Sequence, residues 1–175
     1  MLALILGLVL TGCLLSNVGQ VPATPQSGIT YLTKATEGDP FVTTLFAGQD
    51  IDVGDVEVWN DDEYLYVKYV ITDPDWCLTE THLHIFFDDA EYTDVPQKNG
   101  NPIPGKFSYQ CCCDEDAVQW VFQIKEDGDE NAVCNADDSP ETCLTAITYT
   151  IPLGDWEPDT ELFIAAHAVV QKTTV

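Results

Sequence analysis

The sequence predicts an all-β domain, an antiparallel β-sandwich of about eight short strands stapled by disulfides. Three observations predict it. After Pro40 apolar side chains recur with period two, turn-forming clusters interrupt those runs, and six of the seven cysteines fall in the same stretch. Period two is the signature of a pleated strand with one face buried, whereas a helix repeats every 3.6 residues. No segment offers an apolar helical face between capping residues, so an alternating helix–strand architecture is excluded. A closed barrel is the alternative arrangement.

The first element is not part of the domain. Met1–Val18 carries no charge and Met1–Leu10 is almost wholly aliphatic, the pattern of a secretory h-region too short to span a bilayer. It ends in Leu10-Thr11-Gly12-Cys13. These four residues resemble the lipobox of bacterial prolipoproteins. The resemblance implies a signal peptide over residues 1–12 and a mature chain that begins at a lipid-bearing Cys13, anchored in the membrane by its acyl chains. No Lys or Arg precedes the apolar run, so a positive n-region is expected upstream. An uncleaved N-terminal membrane helix is the other reading, and both place the rest of the chain outside the cytoplasmic membrane. Residues 13–40, with Val21-Pro22-Ala23-Thr24-Pro25-Gln26-Ser27-Gly28 at their centre, have the composition of a flexible tether.

Residues 41–175 form the predicted sandwich. Val56 and Val58 alternate with Glu57 and Trp59. Leu65, Val67, Tyr69 and Ile71 alternate with Tyr64, Tyr66, Lys68 and Val70. Leu83, Ile85 and Phe87 alternate with His82, His84 and Phe86. Trp120, Phe122 and Ile124 form a further run, Ile147, Tyr149 and Ile151 another, and Glu161–Val170 the last. Val, Ile, Thr and aromatic residues dominate, as a half-buried pleated surface favours. Asn60-Asp61-Asp62 is expected to close a hairpin, and Asp73-Pro74-Asp75, Asn99-Gly100-Asn101-Pro102, Asp127-Gly128 and Gly154-Asp155 to turn the chain elsewhere. A body of this size buries roughly 70% of the surface its unfolded chain exposes.

A wider similarity appears in Ala47-Gly48-Gln49, Ile51-Asp52-Val53-Gly54, Leu78-Thr79-Glu80-Thr81-His82-Leu83, Gly100-Asn101-Pro102-Ile103-Pro104-Gly105-Lys106-Phe107, Tyr149-Thr150-Ile151-Pro152-Leu153 and Ile164-Ala165-Ala166-His167-Ala168. Together, over about residues 43–170, they resemble an uncharacterised module of secreted and cell-surface proteins. The resemblance implies an extracellular β-rich domain without an established activity, and one that runs on past the His167 strand, so an edge strand is expected beyond Val175.

Composition narrows the function. Thirty acidic residues against six cations, all six of them lysines, give a net charge of −24. A chain without arginine or a basic patch does not neutralise phosphates, which excludes nucleic-acid binding and polybasic attachment to lipid. At 45% apolar and 10% aromatic content, disorder is excluded as well. With Cys13 lipidated, Cys77, Cys111, Cys112, Cys113, Cys134 and Cys143 remain. An even number in an exported domain points to three disulfides, whose connectivity stays open among 15 arrangements. Adjacent cysteines bridge each other poorly, so each member of the triplet is expected to reach a different partner among Cys77, Cys134 and Cys143.

Glu80, His82 and His84 stand at i, i+2 and i+4 and project from one face of a strand. With His167 from a neighbouring strand they are candidate ligands for Zn or Cu. The structural reading of the same residues is a set of core histidines. Asp114-Glu115-Asp116 and Glu126-Asp127-Gly128-Asp129-Glu130-Asn131 are candidate Ca ligands or solvated acidic loops, and neither has the spacing of a helical calcium loop. Nucleophile-elbow, zincin, phosphate-loop and redox Cys-x-x-Cys motifs are missing from the sequence. The resulting expectation is a lipid-anchored, surface-exposed binding, adhesion or structural module rather than an enzyme. Its partners are the membrane, through the anchor, and a surface protein or glycan met through tryptophans such as Trp59, Trp76 or Trp156. The alternative is an extracytoplasmic metal-binding protein using His82, His84, His167 and Glu80.

Overall fold

A computed structural model describes residues 4–6, 30–32, 35–87, 97–98, 101–114, 119–136, 143–156 and 162–173. Cys13, the lipobox, most of the expected tether, and residues 115–116 of the first acidic loop lie outside them. Two short strands, β1 (Leu4–Leu6) and β2 (Thr30–Leu32), pair antiparallel. The remaining strands are β3 (Phe41–Ala47), β4 (Ile51–Asn60), β5 (Tyr64–Ile71), β6 (Trp76–Phe86), β7 (Gln97–Lys98), β8 (Asn101–Pro102), β9 (Tyr109–Asp114), β10 (Gln119–Ile124), β11 (Val133–Ala136), β12 (Ala146–Pro152) and β13 (Phe163–Lys172). Among the described residues no α-helix occurs, only a 3-10 turn at Pro104–Lys106.

Nine of the strands form the sandwich. One sheet has the order β11-β12-β5-β4-β3 and the other β10-β9-β6-β13, and every pairing is antiparallel. The barrel alternative is thereby set aside. Alternation decides which side chains enter the core. Val56, Val58, Leu65, Val67, Tyr69, Ile147, Tyr149 and Ile151 are buried from the first sheet, and Leu78, Leu83, Cys111, Ile164, Ala166 and Ala168 from the second. Ala35 is buried and Thr36 bridges Asp39.

The Asn60-Asp61-Asp62 segment does close a hairpin, with Asn60 opposite Leu65. Asp61 holds it: Oδ1 accepts the backbone N–H of Glu63 at 2.8 Å and of Tyr64 at 2.7 Å. These bonds, led by that from Glu63, keep the Asp61 carboxyl below its usual range. Gly54 sits in β4 opposite Ile71, where any added Cβ would run into the Val70 carbonyl.

Among the described residues two disulfides form. Cys111 of β9 bridges Cys134 of β11 and so ties the two sheets together at one edge. Cys77 of β6 bridges Cys143, beside a short bridge between Leu78 and Leu144. The expectation that each of Cys111, Cys112 and Cys113 reaches a different distant partner is therefore corrected. Cys77 and Cys143 bond each other because the Leu78–Leu144 pairing brings their Cα atoms to 5.3 Å. Alternation along β9 points Cys112 away from the core, with Glu80 opposite it.

Two expected outcomes follow from these constraints. Replacing Cys77 and Cys143 by Ser removes a link closing 66 residues, and in the chain-entropy account costs about 4 kcal/mol; urea denaturation measures it. Gly54→Ala forces β4 away from β5 and costs about 3 kcal/mol or more, and a near-native urea midpoint would refute the close approach.

Candidate functional site

Strand β6 is buried on both faces. Thr81 and Leu83 turn into the sandwich core, while His82, His84 and Phe86 turn the other way and are buried all the same. The reason is a cover. The turn at Pro104–Lys106 and the following Phe107 and Ser108 lie over the outer face of the four-stranded sheet, where Phe86, Phe107 and Ala165 form a second small core. Lys125 pins the turn, its backbone N–H donating to Ser108 O at 2.8 Å and its Nζ to Gly105 O at 2.5 Å.

Under this cover β13 runs beside β6 with His167 directly opposite His82. Each residue is only 5% exposed, and the ring centres are 5.3 Å apart. His82 Nε2 lies 3.0 Å from Glu80 Oε1. Gln110, opposite His82 on β9, donates from Nε2 to the same carboxylate oxygen. A carboxylate accepts and does not donate, so His82 carries its proton on Nε2 and its lone pair on Nδ1. Nδ1 of His82 and Nδ1 of His167 are both buried without a hydrogen-bond partner.

Burial lowers both imidazoles from 6.5 to about 4. For His82 the Lys125 charge adds to burial and the Pro104 carbonyl opposes it. For His167 the second cause is His82 itself. Both rings are therefore neutral at physiological pH.

His84 stands apart. Its Nδ1 accepts the backbone N–H of Ser108 at 3.1 Å and meets the Ser108 hydroxyl at 2.6 Å, with Asp127 Oδ2 at 3.8 Å. That occupies the nitrogen a metal would need. The four candidate ligands thus divide: His82 and His167 touch, Glu80 orients His82, and His84 is committed to Ser108. Among the described residues no group of three or more His, Cys, Asp or Glu is placed to hold a metal ion. In the second acidic loop Asp129 spends Oδ1 on the backbone and side-chain nitrogens of Asn131. Spacing alone did not reveal Ser108, Gln110 or the Phe107 cover, because their roles depend on the β6–β9 register.

A second feature lies on the outer face of the five-stranded sheet. Trp59 of β4 pairs with Tyr66 of β5, and their rings stack at 5.2 Å and 12°. Tyr66 donates its hydroxyl to Asp61 Oδ2 at 2.8 Å. Burial, helped by that bond, pushes the Tyr66 phenol up to about 12. Thr36, Glu37, Trp59, Asn60, Asp61, Asp62 and Tyr66 line a groove of about 500 Å³. Trp76, by contrast, is buried with Lys172 Nζ 5.4 Å above its ring, and Trp156 is half-buried against Phe87. A turn confined to Asn60–Asp62 would set Trp59 opposite Glu63; the observed register, with Asn60 opposite Leu65, sets it opposite Tyr66 instead.

Comparison with protein-family models, curated proteins and solved structures finds no match for this chain. The class is thus defined by architecture alone, a disulfide-tied antiparallel β-sandwich with a covered histidine pair on one outer face and an aromatic groove on the other.

The histidine pair gives the protein a pH signature. Between pH 6.5 and 4 the unfolded chain binds more protons than the folded one, so stability is complete above about 6.5 and falls as the pH drops through 4. A single ring shifted this far represents on the order of 3 kcal/mol. Proton NMR titration of the imidazole resonances should show two rings without an inflection above pH 5. Inflections of all three rings near 6.5 would contradict the burial argument.

Proposed function

We propose that this chain is an exported β-sandwich module, held outside the cytoplasmic membrane by lipid on Cys13, that acts there as a non-enzymatic binding module. The lipobox Leu10-Thr11-Gly12-Cys13 and the proline-bearing segment after it support export and tethering. The Cys77–Cys143 and Cys111–Cys134 pairs support an oxidising compartment. The observation that carries the binding role is the Trp59–Tyr66 stack at the mouth of the groove. Rigid aromatic rings supply contact area at small entropic cost and dominate recognition surfaces. Glu37, Asp61 and Asp62 beside the rings offer hydrogen-bond acceptors to a surface protein or a glycan and repel phosphate.

A second reading, extracytoplasmic binding of Zn or Cu, is favoured by the two unpartnered nitrogens of His82 and His167. Of the four candidates named for it, this pair has the best claim.

Cys13→Ser should move the chain from the membrane pellet to the soluble fraction, and persistence in the pellet would favour an uncleaved helix. Retention of the folded chain on immobilised cell-envelope glycans and surface proteins tests the groove. Trp59→Ala should weaken retention about tenfold, the effect of losing an anchor of 1–2 kcal/mol. Binding that ignores Trp59→Ala and Tyr66→Ala would move the recognition surface elsewhere.

A further inference from the structure

The geometry points to His82 and His167 as a two-nitrogen site for monovalent copper, in which Glu80 is not a ligand but the group that aims His82. This deepens the metal-binding reading and rests on it. Four observations converge. The two imidazoles face each other across the β6–β13 pairing with ring centres 5.3 Å apart. Both Nδ1 atoms are buried and have no hydrogen-bond partner, and an orphaned polar atom in a protein interior calls for an explanation. The Glu80 carboxylate lies 3.0 Å from His82 Nε2 and is itself held by Gln110. That is the carboxylate–histidine arrangement that fixes a ligand's tautomer and raises its basicity. Finally, no third His, Cys, Asp or Glu among the described residues completes a larger set.

The donor number selects the ion. Zn²⁺ takes four ligands in structural sites and three protein ligands in catalytic ones, and Ca²⁺ demands six or more oxygens. A filled-shell monovalent copper ion accepts two neutral nitrogen donors in a nearly linear array. Two metal–nitrogen bonds of about 2 Å each set the two nitrogens about 4 Å apart, so the rings, with centres 5.3 Å apart, separate by about 1 Å when the ion enters. The surroundings fit a single positive charge better than two. Glu80 is the carboxylate beside the pair, the Lys125 charge also acts on His82, and Asp127 faces His84 instead. The Pro104–Phe107 cover keeps water from the site. Binding changes no oxidation state: the two lone pairs are donated to the ion and nothing is released.

The test uses the full chain in detergent micelles with its disulfides intact. Cu(I) is supplied anaerobically as its acetonitrile complex and competed against a chromophoric Cu(I) chelator. Cysteine is the obvious rival ligand, so a Cys112→Ser, Cys113→Ser chain is measured in parallel. The expected result is one equivalent of Cu(I) in both chains. Glu80→Gln, which keeps the size of the side chain, should weaken binding 10- to 100-fold, and His84→Gln should leave it unchanged. Nitrogen-15 NMR of labelled histidine should show two Nδ1 resonances moving on metal addition, a readout that survives if His82→Ala or His167→Ala fails to fold. Binding that disappears with Cys112→Ser, Cys113→Ser while the Nδ1 resonances stay still would overturn the histidine site but leave metal binding standing. No Cu(I), Zn²⁺ or Cu²⁺ bound at all would overturn both, and the pair would be a structural element of the covered face.

Discussion

The structure depends on two tyrosine hydroxyls that cross from one sheet to the other. Tyr69 of β5 donates to the His82 carbonyl at 2.7 Å, and Tyr149 of β12 donates to the Thr81 carbonyl at 3.0 Å. The Thr81 hydroxyl meets Tyr149 Oη at 2.8 Å. Both phenols are completely enclosed, and burial drives their titration far upward. A buried hydroxyl left without a partner costs more than the bond itself contributes. The sheets are therefore locked in register at Thr81–His82. The histidine pair sits on the reverse side of that lock, so the sandwich core and the outer site share one strand.

That shared strand explains why β6 reads ambiguously. A sheet facing water on one side shows apolar and polar residues in strict alternation. In β6 the polar side is also covered at His82 and His84, which lie beneath Phe107 rather than in solvent. The five-stranded sheet follows the opposite rule. Its outer face carries Lys68 paired with Glu57 at 3.4 Å, the Trp59–Tyr66 stack, and no cover among the described residues. The same architecture thus presents one sealed face and one open one, and the two candidate functions belong to different sheets.

Acidity has a local purpose besides solubility. Asp61, Asp73 and Asp129 each accept a backbone N–H two residues further on, turning the chain at three separate places. Short carboxylates favour such turns. Part of the charge of −24 is therefore turn chemistry, and within the Glu126–Asn131 loop it is Asp129 that turns the chain.

The sequence by itself determined the fold class, the β4–β5 hairpin, and the shared face of Glu80, His82 and His84. Each of these is a matter of local period and turn chemistry, fixed by a few consecutive residues. Only the tertiary structure decided that β13 lies beside β6, that Cys77 meets Cys143, and that Gln110 and Ser108 claim Glu80 and His84. Those outcomes depend on which distant strands pair and in what register. Alternation says which side chains share a face but not what that face is laid against. The pairing of His82 with His167, 85 residues apart in the chain, is set by the global packing of two sheets around the Tyr69 and Tyr149 hydroxyls.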